Sequence, residues 1–518
     1  MKIRPFLTFT ILTVLVLYIS ADVIKISSFG ELCLIGKHTD FPLDGNYELT
    51  GNIDASSSRN MNDGKGFNPI GRDINPSIAF TGTFDGKGFV INDLYINRLG
   101  EIPFDCIGLF ARMSNGGEIK NVGLVNVFVF GDYNVGALVG CLGTGKIIDC
   151  YSTGNVSGTE GYVAGSLSTG GLVGTVTGSS TITASYFIGT VSGTAYNNIG
   201  GLVGSFDPSS SNTMSTMADC YFAGNVSGTD AIVGGLVGYS NGATITNCYS
   251  TGNVYGACDN VYLNCNVGGL VGYMNRGHIT NSYSTALVNG TGDCTIGGLI
   301  GFWDGGANTT ITNCYSTGSV SGTGYYIGGL IGAVTGNGIA INCYSTGAVS
   351  GTGDNIGGLI GYYSYDSKGT VSNCFWDIET SGLTISAVGQ GRTTSQMRQQ
   401  ITYAGWDFDD IWQIEEDQSY PYLLSLGKPT SVIGNKITRN TAIASVPLIT
   451  VKGKTLNIKS SPTSDLQIRL FDMRGKTLAR FNTRGSNSFS LSKIPAGRYL
   501  VETKENGKRV GTAAVVLR

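Results

Sequence analysis

The chain has 518 residues, 79 of them glycine, with only 13% charged and a formal net charge of −3. That glycine content is far above the usual ~7%, yet aliphatic and aromatic residues are plentiful and periodic, which argues against disorder. Residues 446–518 hold 14 Lys/Arg against 4 Asp/Glu, whereas between Asn134 and Cys374 only Lys146, Arg276 and Lys368 are basic, so the middle of the chain has no electrostatic footprint for nucleic acid.

Residues 1–21 open Met-Lys-Ile-Arg, run apolar from Phe6 to Ile19 and turn small and polar at Ser20-Ala21. A basic start, a short apolar run and a small-residue exit predict a signal peptide cleaved near Ala21. The apolar run is shorter than the ~20 residues that span a bilayer, and no later segment is apolar for long enough. Residues 22–105 carry short β-like runs broken by Gly, Asp and Asn, such as Phe80-Thr-Gly-Thr-Phe-Asp-Gly86 and Ile91-Asn-Asp-Leu-Tyr-Ile96. They predict an irregular N-terminal cap and the first coils of a stacked array, whose terminal units are atypical because they close an exposed core.

Residues 106–375 are dominated by repetition. Gly-Gly-Leu-Val/Ile-Gly begins at Gly170, Gly200, Gly234, Gly268, Gly297, Gly328 and Gly357, with a variant at Gly136. Self-similarity at this period marks stacked units that cannot bury their apolar faces alone. Between these blocks recurs Cys150-Tyr-Ser-Thr-Gly-Asn-Val-Ser-Gly158, returning at Ser185, Cys220, Cys248, Ser282, Cys314 and Cys343, with a degenerate last copy at Cys374. Each unit reads as short strands separated by Gly, Asn and Ser turns, without a helical period. A propeller blade needs about 40 residues or more and a sandwich repeat nearer 100. The prediction is therefore all-β: a parallel β-helix, or solenoid, its coils roughly 4.8 Å apart.

The cysteines that share one repeat position alternate with serine, which fits a small, packed side chain better than a disulfide. Cys258 and Cys265 flank an insertion. Cys265 and Cys294 each lie three residues before a Gly-Gly block, which predicts stacked neighbours between which coil spacing permits a disulfide. Beside the Cys/Ser position stand Tyr151, Tyr186, Tyr221, Tyr249, Tyr283, Tyr315, Tyr344 and Phe375. Neighbours in a strand face opposite sides. If the cysteines are inside, the aromatics form an outer ladder suited to binding. Strict alternation from Ile245 instead puts Tyr249 inside, unless the chain bends at Asn247. We favour the outer ladder as candidate ligand site, against a purely structural stack that keeps coils in register.

Residues 376–428 hold Trp376, Trp406 and Trp412 and one helical candidate, Gly391 to Gln400, and predict a cap over the apolar end. The entry segment, the repeats and this Trp-rich exit, about 24–424, resemble the GLUG-motif family. The resemblance implies a right-handed parallel β-helical passenger of secreted bacterial surface proteins, some adhesin-like. The family's repeats also accompany zinc peptidases that cleave immunoglobulin, but their His-Glu-x-x-His motif is absent here. A Lys/Ser/Thr/Asn linker is expected over 429–445. Residues 446–518 then alternate as short strands and predict a small β-sandwich. At Asp472, Gly475, Lys476, Gly497 and Tyr499, with Arg518 at the end, this module resembles the C-terminal sorting domain of the type IX secretion system. The resemblance implies a diderm bacterium and a product on or beyond its outer membrane.

Glycoside hydrolysis on a β-helix calls for clustered carboxylates beside a His or Lys. The two histidines, His38 in the cap and His278 read as a turn residue, and the cap carboxylates Asp93, Asp409 and Asp410 suggest no such set. Asp230, Asp293 and Asp354 occupy matching corners, but Tyr325 interrupts the series, so turn chemistry is preferred to calcium binding. The sequence thus predicts no catalytic, metal or cofactor site. It predicts a secreted or surface-held, adhesin-like monomer whose partners are a surface glycan or a host or neighbour protein, with the secretion machinery engaged through the C-terminal domain. The alternatives are a carbohydrate-binding appendage and a cryptic polysaccharide-degrading enzyme.

Overall fold

The computed structural model describes residues 22–517 apart from 73–77, 100–105, 160–166, 195, 209–214, 260–264, 307, 430–447, 453, 460–464, 473–476, 485–486, 496 and 506–507. The expected signal peptide and the linker beyond Pro429 lie outside the described residues, as do Gly475, Lys476 and Arg518.

The N-terminal cap and the repeats wind into a parallel β-solenoid, and among the described residues its strands fall into three long sheets of 19, 16 and 9 strands. In one coil, Val237–Thr246 runs along the first sheet, Tyr249–Cys258 along the second and Asn266–Gly268 along the third. Val271–Thr280 then returns to the first, one coil higher. Pairing between coils is parallel and in register, Val237 with Val271, Tyr249 with Tyr283 and Val267 with Ile296. Parallel pairing places like residues over like, so each repeat position becomes a column.

The glycines of the repeat are dictated by this winding. A Cβ on Gly234 would land on the carbonyl of Val237, because the chain doubles back there into the first sheet. A Cβ on Gly235 would land on the carbonyl of Gly269 in the next coil. The following leucines, among them Leu236, Leu270 and Leu299, point inward and are fully buried. Such columns give a continuous interior with no unit that is stable alone.

Asn247 resolves the conflict over the second strand. It sits at φ 53°, as do Asn281, Asn313, Asn342 and Asn373 within a few degrees, a left-handed conformation that asparagine tolerates better than most residues. The bend breaks strict alternation. Ile245 and Cys248 both face inward while Tyr249 turns out. The inner position accepts Cys or Ser for one reason: each is small and donates to the carbonyl two residues back. The Cys248 Sγ lies 3.2 Å from the Thr246 oxygen and the Ser282 Oγ 2.8 Å from that of Thr280.

Two disulfides are formed, Cys106–Cys141 and Cys258–Cys265, with Cα separations of 5.5 and 5.8 Å. The Cys265–Cys294 disulfide that coil spacing permits is therefore corrected to Cys258–Cys265. Asn266 pairs with Thr295, so the two cysteines do follow each other along the stack. Cys265 bonds instead across the mouth of its own insertion, and the Cys294 thiol is buried and donates to the Thr291 carbonyl at 3.2 Å.

At the N-terminal end, Ser28 and Glu31 form a reciprocal capping box around the short helix Phe29–Leu32, a helix absent from the sequence-based expectation. At the other end the tryptophans divide. Trp376 packs into the solenoid interior with Leu359 and Cys374. Trp406 and Trp412, expected to plug that interior, lie in a separate cluster on the outer wall. The helical candidate is a single turn, Thr394–Met397, started by the Thr393 capping box. His278 belongs to a strand rather than a turn, with its Nδ1 2.9 Å from the Thr310 hydroxyl.

The C-terminal module consists of a three-stranded and a four-stranded antiparallel sheet. Leu456, Ile458, Leu466, Ile468, Leu470, Leu491 and Val501 form a core of their own. Asp472 pairs with Tyr499, and Gly497 with Leu517.

Candidate functional site: a half-covered tyrosine ladder

The bend before each Tyr position builds the site. From Tyr151 to Tyr344, seven rings stand one per coil outside the second sheet, with neighbouring centroids 4.6–5.0 Å apart and planes within 10° of parallel. At that spacing each ring lies against the next, so most of each face is taken up and the outward side is ring edge and phenol hydroxyl. The lowest ring rests on Gly123, where any Cβ would strike the Tyr151 ring. The column thus offers partners a row of hydroxyls more than a set of open faces.

Half of this row is closed. Tyr283, Tyr315, Tyr344 and Phe375 are buried under Met397, Tyr403, Trp406, Trp412 and Leu423 of the exit segment. The Tyr344 hydroxyl donates to the Pro421 carbonyl, and the Arg392 guanidinium lies 5.6 Å from the Phe375 ring centre. Tyr151, Tyr186, Tyr221 and Tyr249 remain half-buried. A hydrogen bond of 3.2 Å from Ser425 to Asn247 marks where the cover stops.

The cover is held by Asp377, which is fully buried. Its carboxylate accepts from the Glu379 and Thr380 amides at 2.9 and 3.0 Å, from the Thr394 hydroxyl at 2.7 Å and from the Tyr420 hydroxyl at 2.6 Å. One side chain thereby ties the last coil to two points of the exit segment. Sequence reasoning missed it; the only signal was an Asp before a Glu-Thr-Ser turn.

Burial pushes the phenols of Tyr151, Tyr186, Tyr221 and Tyr249 above their ordinary value, so the row is neutral and can donate hydrogen bonds throughout the physiological range. The folded state favours the protonated phenol more than the unfolded chain does. This share of stability is intact below the unfolded value near pH ~10 and is lost as the pH rises toward the folded value. We expect a flat thermal midpoint through neutrality, a decline above pH ~10, and tyrosinate absorbance that lags in the native protein. A native titration overlaying that of the denatured chain would contradict this.

The other candidates are not brought together. His38 lies in the N-terminal cap beside Asp40 and His278 on the outer wall. Asp93 accepts from Asn126, while the Asp409 and Asp410 amides donate to Asp407, all ordinary turn chemistry. Asp230 accepts from the Asp259 amide at 2.8 Å. Its carboxylate lies within 4.8 Å of the Cys258 and Cys265 sulfurs, but these are joined to each other and offer no thiolate.

Two family models match parts of the chain: the GLUG motif at residues 131–157 and 231–255, and the secretion system C-terminal sorting domain at 452–517. The solenoid thus carries two matches to the GLUG motif, and the C-terminal module matches a sorting domain, which indicates secretion or a cell-surface location. Among the described residues no helix is long and apolar enough to cross a membrane. Similar curated proteins include "Halomucin" of Haloquadratum walsbyi, 38% identical over 138 residues, which are 26% of this chain and 1% of that protein. A "Putative Gly-rich membrane protein" of Evansella cellulosilytica is 45% identical over 58 residues, 11% of this chain and 7% of that protein. The chain thus spans only a small part of either relative. Among solved structures, a "putative immunoglobulin A1 protease" of Bacteroides ovatus aligns over 78% of this chain and 92% of its own, at 18% identity and a TM-score of 0.39. An "IgA1 Protease" aligns over 94% and 34%, at 16% identity and a TM-score of 0.36.

Proposed function

We propose that this chain is a non-enzymatic, adhesin-like binding protein. It works as a monomer and meets a surface glycan or a protein of a host or neighbouring cell at the open half of its tyrosine ladder. The observation that supports this is the selective cover: the exit segment closes the upper rings and leaves Tyr151, Tyr186, Tyr221 and Tyr249 half-buried. A stack serving only to hold coils in register has no need of a hydroxyl row at the surface. The sorting domain supports the reading by delivering the solenoid to where such partners are met.

The test is solid-phase binding of the full chain to an immobilised mucin-type glycoprotein and to its enzymatically deglycosylated form. Replacing Tyr186 and Tyr221 together by serine is expected to weaken capture at least tenfold, about 1.4 kcal/mol or more. Loss of capture on deglycosylation favours a glycan partner and retention favours a protein. Capture unchanged by the double substitution removes the ladder from the binding role. Release of reducing sugar from polysaccharides by the purified chain would instead support the enzymatic alternative.

A further inference from the structure

The first sheet carries a second aromatic column that the sequence reading did not single out. Tyr239, Tyr273 and Phe302 are in register on three consecutive coils. Their ring centres are 5.4 and 5.3 Å apart and all three are half-exposed. The column is bounded by Ser205 below and Ala333 above, so the outer faces of Tyr239 and Phe302 have only small in-register neighbours.

Two residues beyond Ser205 and each ring, past the strand ends at Asp207 and Asp304 and at a bulge at Asn241 and Asn275, runs a polar row whose carboxylates lie near the phenols of Tyr239 and Tyr273. The Asn275 amide donates to Asn241 at 3.2 Å and the Asn241 amide to Asp207 at 2.9 Å. Asp304 continues the row one coil on, accepting from the Thr335 hydroxyl at 3.2 Å, and its charge adds to burial in pushing the Tyr273 phenol above its ordinary value. Arg276 stands exposed beside it. Each coil thus repeats one ring and one amide or carboxylate at the spacing of parallel strands, about 4.8 Å.

We infer that this wall binds a neutral polysaccharide chain lying along the solenoid axis. A pyranose unit is about as long as one coil is high. Its C–H groups can run along the ring edges that this stacked column turns outward, and its equatorial hydroxyls both donate and accept, which amides and carboxylates answer in pairs. The alternatives fit worse. Asp207 and Asp304 against the single Arg276 disfavour nucleic acid and anionic glycans. A protein interface concentrates apolar groups and depletes charge at its centre, whereas here a polar group stands beside every ring. This site is separate from the tyrosine ladder on the second sheet and stands or falls independently of it.

The test is affinity electrophoresis of the full chain in native gels cast with hydroxyethylcellulose, mixed-linkage β-glucan, xylan or galactomannan, and in parallel with alginate. At least one neutral gel is expected to retard the protein and alginate is not. Tyr273→Ala is expected to raise the dissociation constant at least tenfold, and Asn241→Ala, the milder change, severalfold. Tyr365→Ala, in an aromatic that is 99% exposed and outside the column, is expected to change nothing. Melting curves of each variant exclude unfolding as the cause. Absence of retardation in every neutral gel, retardation by alginate alone, or retardation lost in Tyr186→Ala but kept in Tyr273→Ala overturns the inference.

Discussion

Deleting residues 446–518 in the native host is expected to abolish surface display while leaving the solenoid folded. The deleted module has its own core of Leu456, Ile458, Leu466, Ile468, Leu470, Leu491 and Val501, and no residue of that cluster belongs to the solenoid core. Its strands match a sorting domain over 452–517. Its excess of basic residues, 14 Lys/Arg to 4 Asp/Glu, contrasts with the nearly uncharged wall of the repeats. The truncated chain should accumulate in the periplasm, carried across the inner membrane by the predicted signal peptide, with a melting curve close to that of the full protein. Cell fractionation with immunodetection provides the measurement. Normal amounts of truncated protein at the surface or in the medium would make the module a wall- or glycan-binding unit instead of an address.

The second large effect is expected at Asp377. Asp377→Ala removes the acceptor for the Thr394 and Tyr420 hydroxyls and for two amides of the following turn. Leaving such donors unsatisfied costs about 1–3 kcal/mol each where they stay buried. We expect the exit segment to detach before the solenoid unfolds, because each draws on a separate apolar cluster. Detachment uncovers Tyr283, Tyr315 and Tyr344 and moves Trp406 and Trp412 into water. Tryptophan emission should shift to the red in a transition at lower temperature than the loss of β-sheet circular dichroism. A single coincident transition for both signals would show that cover and rod are one cooperative unit.

The solenoid was legible because it is periodic. Gly-Gly-Leu announces a turn where a side chain has no room, and Cys exchanging with Ser announces a small interior position. The direction of the Tyr column was only conditionally legible: it hinged on one left-handed residue, Asn247, whose effect is to reverse the alternation that strand logic assumes. Features depending on contacts between distant segments were not legible. Trp406 and Trp412 read equally well as a plug or as a flank, since composition does not say where a returning chain lands. Cys265 had two partners within reach of its register, and the bond across its own loop was formed. The aromatics of the first sheet were visible in retrospect, since Tyr239, Tyr273, Phe302 and Tyr362 each follow the last glycine of a Gly-Gly-Leu block. Because that position also admits Ser205 and Ala333, the column is interrupted and escapes a search for strict repetition.

Strict register between coils gives the rod a property that single-site proteins lack. Every added or removed repeat of about thirty residues changes the number of rings on each wall by at most one and leaves the geometry of the others untouched, since a coil touches only its neighbours. Contacts that repeat along a polymer reinforce one another through effective concentration. The grip of such a wall therefore rises with rod length in steps, and repeat number becomes a dial for avidity that can be turned without redesigning any contact.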